Sequence, residues 1–137
     1  MGTRSRIGIL EKDGAVTSIY CHFDGYPSYN GKILLNDYKD EFKVRQLILF
    51  GDLSSLGNDI GVFNDYKSPS KLFCCAYGRD RGEIDTKATN HSCNEWPSGG
   101  EYHYLWDGAW KFYTVYGEKK WLDLASYFLL TDILDDK

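Results

Sequence analysis

The feature that most constrains this fold is a repeated signal: Asp-Gly set between two apolar runs. It occurs at Lys12-Asp13-Gly14, between Arg6–Glu11 and Ala15–His22. It returns at Asp107-Gly108, between Glu101–Trp106 and Trp110–Tyr116. Asp-Gly tolerates the positive φ of a tight turn whose twist suits two antiparallel strands. In the first pair, Ile7 and Ile9 alternate with Arg6, Gly8 and Leu10. Val16, Ser18 and Tyr20 alternate with Thr17, Ile19 and Cys21. A period of two gives each strand two distinct faces. Two hairpins are therefore expected.

Helical spacing fills part of the interval between them. After the turn chemistry of Asp24-Gly25-Tyr26-Pro27, Ser28 is an N-cap candidate ahead of Ile33, Leu34, Leu35 and Tyr38. A second helix starts from Asp40, carries Val44, Leu47 and Ile48 on one stripe, and closes at Gly51. Asp52–Ser70 reads as a long loop, a place where function often resides. Lys71–Tyr77 reads as a third strand and Gly78–Gly82 as a charged turn. Glu83–Gly100 is polar, and Trp121–Leu134 is expected to be a closing helix buried on more than one face. The expected fold is α+β in a single domain, residues 1–137. It has an antiparallel sheet of about five strands (two hairpins plus a central strand), with helices packed on one face.

Charge and composition narrow the partners. The net charge is −4, whereas a general nucleic-acid binder is usually basic. An acidic surface suits a basic protein partner, such as one that itself binds nucleic acid. Eleven Tyr and four Trp are types enriched at interfaces, though Tyr also fills sheet surfaces well. No run approaches the roughly eighteen apolar residues of a membrane span, and the amino-terminal residues show no apolar signal-peptide core. Cys21, Cys74, Cys75 and Cys93 are then expected to be free thiols in a reducing compartment.

Three constellations can carry chemistry. Cys74 and Cys75 are adjacent, so in a strand they face opposite ways, and no C-x-x-C occurs. No structural metal and no cofactor are expected. Cys21, His22 and Asp24 contain a nucleophile, a base and a carboxylate. Strand geometry turns Cys21 away from His22, so His22, Asp24 and Tyr26 form a secondary candidate site at most. The better candidate is Arg79-Asp80-Arg81-Gly82-Glu83. Two guanidinium groups can grip a phosphate or carboxylate, and Tyr77, Trp106 and Trp110 can offer stacking faces. The same five residues also read as a charged turn that neutralises itself.

Taken together, several runs form a recognisable pattern. They are Thr3-Arg4-Ser5 with Ile7-Gly8-Ile9, SIYCHFDGYPSYNGKIL, Gly51-Asp52-Leu53-Ser54-Ser55-Leu56-Gly57 and Tyr77-Gly78-Arg79-Asp80-Arg81-Gly82-Glu83. The pattern resembles a family of small accessory proteins of tailed bacteriophages. The resemblance implies a phage origin and action in the host cytoplasm. It also implies an anti-defence role, because small phage proteins often disarm host defences. The expected function is non-enzymatic: binding and blocking a host defence protein, with a CRISPR effector as the leading target. One alternative is a sponge that sequesters a signalling nucleotide through Arg79, Arg81 and nearby rings. Another is a small hydrolase built around His22 and Asp24.

Overall fold

The computed structural model describes residues 3–65, 67–92, 101–114 and 121–135. β1 (Ser5–Leu10) and β2 (Val16–Cys21) form the first hairpin, with Ile7 opposite Ile19. A π-helical turn, Pro27–Gly31, runs into α1 (Lys32–Asp37), and α2 (Glu41–Leu49) follows. Next come β3 (Leu53–Ser55), β4 (Cys75–Ala76), α3 (Tyr77–Arg81) and β5 (Thr89–His91). β6 (Tyr102–Trp106) and β7 (Trp110–Thr114) form the second hairpin. β8 (Leu122–Asp123) and α4 (Leu124–Asp135) complete the described chain.

The expected five-stranded antiparallel sheet is not the one observed. The sheet is mixed and eight-stranded, in the order β4-β3-β2-β1-β6-β7-β8, with β5 beside β2. β1 runs parallel to β6, and β2 runs parallel to β3. The physical reason is that Asp-Gly governs pairing only within its own hairpin. It says nothing about which edge each hairpin offers the other. Docked in parallel, β1 and β6 set Ile7 beside Tyr104 and Ile9 beside Trp106. Four of the strands are only two or three residues long. β3 and β5 lie in loop-like or polar stretches without a visible period, while β8 occupies the start of the expected closing helix. Lys71–Tyr77 contributes two strand residues rather than seven, and the expected charged turn is the helix α3.

Alternation across the sheet decides what each face holds. One row runs Ile19–Ile7–Tyr104–Phe112 across β2, β1, β6 and β7. None of the four is more than 2% exposed. Leu34 of α1, Val44 and Leu47 of α2, and Leu124 of α4 join them in one core. Burying each such side chain contributes about 1.5–3 kcal/mol. Asp40 caps α2 as the sequence suggests, accepting from the Lys43 amide at 2.8 Å. The neighbouring row, Tyr20–Arg6–His103–Tyr113, points to the opposite face. No helix among the described residues is long and apolar enough to cross a membrane.

Candidate functional site

The Asp24-Gly25-Tyr26-Pro27 turn is locked from several sides. Gly25 donates its amide to Thr3 O at 2.8 Å, and its carbonyl accepts from the Tyr104 hydroxyl at 2.7 Å. A Cβ at Gly25 would lie 2.7 Å from Thr3 O and 2.8 Å from Ser5 Cβ, so only glycine fits. Asp24 takes φ +59 to enter this turn, and its carbonyl accepts from the Asn30 amide. Tyr26 is exposed and donates to Asp24 Oδ1 at 3.2 Å. His22 stands off from the turn, with Nδ1 2.7 Å from the Tyr20 hydroxyl and its ring edge-on to Phe23.

Arg79 and Arg81 have different roles. Arg79 is largely buried and faces inward. Its Nη1 donates to Ile60 O and Gly61 O, and its Nη2 donates to Cys74 O at 2.8 Å. Its guanidinium also stacks 5.0 Å over Phe50. Asp80 is buried beside it and accepts from the amides of Asn64 and Ala76. Together the two residues fasten the 60–74 segment to β4. Arg81 is on the outside. Its Nε lies 2.9 Å from Glu83 Oε2, and its guanidinium sits 5.0 Å from the Tyr77 ring centroid. Gly82, at φ +69, ends α3 and turns Glu83 back onto Tyr77 O.

Trp106 and Trp110 are core residues, at 7% and 3% exposure. They meet edge-on at 5.4 Å, and Trp110 Nε1 donates to Tyr38 O at 2.8 Å. The structure therefore parts the Trp hairpin from the α3 turn and directs its rings inward.

What the structure does bring together is a cleft of about 350 Å³. That size falls within the usual range for small-molecule sites. Phe23, Asp24 and Tyr29 line it from the β2 turn, Ser54 and Ser55 from β3, Cys75 from β4, and Arg81 from α3. Lys71 and Ser70 close it from the long loop. Asn64 holds that loop in place, because its side chain accepts from the Ser70 amide and donates to Ser70 O. The lining thus combines two cations, one carboxylate, several hydroxyls and two rings. Of the residues singled out in the sequence, Arg81 and Asp24 line the cleft. Arg79 and Asp80 do not line it but bond the adjoining loop and β4, and Tyr77 lies against Arg81.

Burial raises the pKa of the Cys75 thiol, and the nearby Asp80 carboxylate adds to that. The thiol is thereby held in its protonated form. No histidine lines the cleft, so Ser54 and Ser55 lack the usual base. Among the described residues, no three of His, Cys, Asp and Glu are grouped to hold a metal. Cys93 lies outside the described residues.

Phe23, Tyr29, Ser54, Ser55 and Lys71 were not singled out in the sequence. The available signal was indirect. Phe23 lies inside the Cys21–Pro27 run, and the two serines lie inside the Gly51–Gly57 run. No protein-family model, curated protein or solved structure matches the chain.

Proposed function

We propose that the protein is a non-enzymatic binder that takes up a small anionic ligand bearing a flat ring, in the manner of a sponge for a signalling nucleotide. One observation carries this reading: Arg81 and Lys71 share a cleft with Phe23, Tyr29 and the hydroxyls of Ser54 and Ser55. Guanidinium and ammonium groups suit phosphate, the rings suit a base, and the hydroxyls and Asp24 suit sugar or ring donors. The resemblance to phage accessory proteins gives such a site a purpose in the host cytoplasm, namely to remove a defence signal.

The test is direct. Protein purified from a bacterial lysate is denatured, and the released small molecules are read by absorbance near 260 nm and by mass spectrometry. The expected result is a nucleotide that rebinds the refolded protein, with affinity reduced at least tenfold by Arg81→Glu. No released ligand, or rebinding that ignores Arg81, would overturn the proposal.

A second reading is the blocking of a host defence protein, with a CRISPR effector as the target. It is favoured by the loop beside the cleft, where Val62, Phe63 and Leu72 are 73%, 63% and 65% exposed. Capture of a single host protein, lost on changing Phe63 to Ser, is its expected result.

A further inference from the structure

The cleft wall that comes from the β2 turn carries a carboxylate with most of its bonding capacity in hand. Asp24 lines the cleft beside Phe23 and Tyr29. Lys71 and Arg81 line the same cavity, yet no ion pair among the described residues includes Asp24. Its side chain accepts from the Tyr26 hydroxyl at Oδ1, at 3.2 Å, and Oδ2 accepts from no group among the described residues. An ionised carboxylate has about four lone-pair positions, so most of them are left for a ligand.

The group is also held in place. Asp24 takes φ +59, and its carbonyl accepts from the Asn30 amide. The next residue, Gly25, is fastened between Thr3 O and the Tyr104 hydroxyl. The bond from Tyr26 restrains the carboxylate plane. On the same wall, the Asp24 charge reaches the Tyr29 phenol.

We propose that Asp24 selects the base of the ligand and that this base is guanine. The inference rests on the nucleotide reading of the cleft given above. Among the four RNA bases, guanine alone sets two donors side by side on its pairing edge, the ring N1–H and the exocyclic N2 amine. A carboxylate accepts both, one on each oxygen, in the fork arrangement it also offers a guanidinium. Adenine and cytosine set an acceptor nitrogen next to their exocyclic amine. Uracil sets a carbonyl on each side of its N–H. Each of these turns an acceptor against a carboxylate oxygen, and such a mismatch discriminates as strongly as a good contact attracts. Lys71 and Arg81 are left for the phosphate, and Phe23 and Tyr29 for the face of the ring.

The experiment is calorimetric titration of the full chain with the monophosphates of guanosine, inosine, xanthosine, adenosine, cytidine and uridine. Guanosine monophosphate should bind at least tenfold more tightly than the others. Inosine, which lacks the N2 amine, should fall behind it. Asp24→Asn keeps the fold, because asparagine also tolerates positive φ. Its carboxamide presents one acceptor and one donor, which suits xanthine, where a carbonyl replaces the N2 amine. The variant should therefore lose guanosine monophosphate at least tenfold and gain xanthosine monophosphate. A structural role for Asp24 would weaken all six alike. Equal binding of the six by the wild-type protein, preference for another base, or an Asp24→Asn variant that still prefers guanosine would overturn the selection by Asp24 and leave the nucleotide reading standing. Binding of none of the six would overturn both.

Discussion

Arg79 grips its own chain neighbour: Nε lies 2.9 Å from Asp80 Oδ1, and Nη2 lies 3.1 Å from Oδ2. Burial alone would raise the Asp80 carboxyl. The Arg79 hydrogen bond and the Ala76 and Asn64 amides outweigh it, and the group titrates below the usual carboxylate range. A carboxyl with a depressed folded pKa contributes stability that is present above its unfolded pKa, about 3.9. That stability is lost as pH falls through the lower folded value. Asp80→Ala leaves Arg79 buried without its partner and is expected to cost about 3–5 kcal/mol. Urea midpoints at pH 7 and pH 3 check both statements. The wild-type protein should lose stability on acidification, and the variant should lose less.

The same pair separates the two arginines in function. Arg79→Glu would place two carboxylates together where Cys74 O and Asp80 now receive donors. It should unfold or strongly destabilise the chain. Arg81→Glu meets only a partly exposed surface, where the Glu83 pair is worth about 0–1 kcal/mol. It should change the melting temperature little while weakening ligand binding. Circular dichroism melts of the two single variants distinguish them. Equal destabilisation by both would mean that Arg81 also holds the fold.

The Gly25 turn is expected to be intolerant of substitution. An added Cβ must displace Thr3 O or Ser5 Cβ, an overpacking expected to cost about 1–3 kcal/mol. Tyr104→Phe removes the 2.7 Å hydrogen bond to Gly25 O and should cost on the order of 1 kcal/mol. Denaturant unfolding of each variant and of the double variant is the measurement. An unchanged midpoint for Gly25→Ala would show that the turn yields freely.

Local signals in the sequence carried as far as local physics reaches. Asp13-Gly14 and Asp107-Gly108 mark real hairpins, and Asp40 and the Val44–Ile48 stripe mark a real helix. The parallel pairing of β1 with β6 was not legible, because it depends on how two finished hairpins share apolar faces. β3 and β5 were not legible because three residues cannot display a period, whereas β4 fell inside the expected strand Lys71–Tyr77, which was drawn too long, and β8 lies where the closing helix was expected to begin. At the site, Arg81 and Asp24 stood out through residue type. Ser54, Ser55 and Lys71 reach the cleft only through tertiary placement. Trp106 and Trp110 have the composition of an interface, yet the same large rings fill the core here.

The buried thiols give the last prediction. Burial pushes the Cys21 thiol up to about 12, despite a hydrogen bond from Asn30. Burial likewise raises Cys74 and Cys75. Only the thiolate is alkylated, and a free cysteine near pKa 8.5 is substantially ionised at pH 8. With its thiol at about 12, Cys21 holds on the order of one thiolate in ten thousand at that pH. In a Cys93→Ser background, iodoacetamide at pH 8 should therefore label the folded protein at least a hundredfold more slowly than the protein in urea. Cys75, on the cleft wall, should react first, and mass spectrometry of tryptic peptides gives the order. The same shifts act on stability. A thiol whose folded pKa is raised makes the unfolded chain release its proton first as pH rises. Stability should fall progressively above pH about 8.5, the unfolded thiol value. Rapid labelling of Cys21 in the folded state, or stability that holds level from pH 8 to pH 10, would show that these thiols are not buried as described.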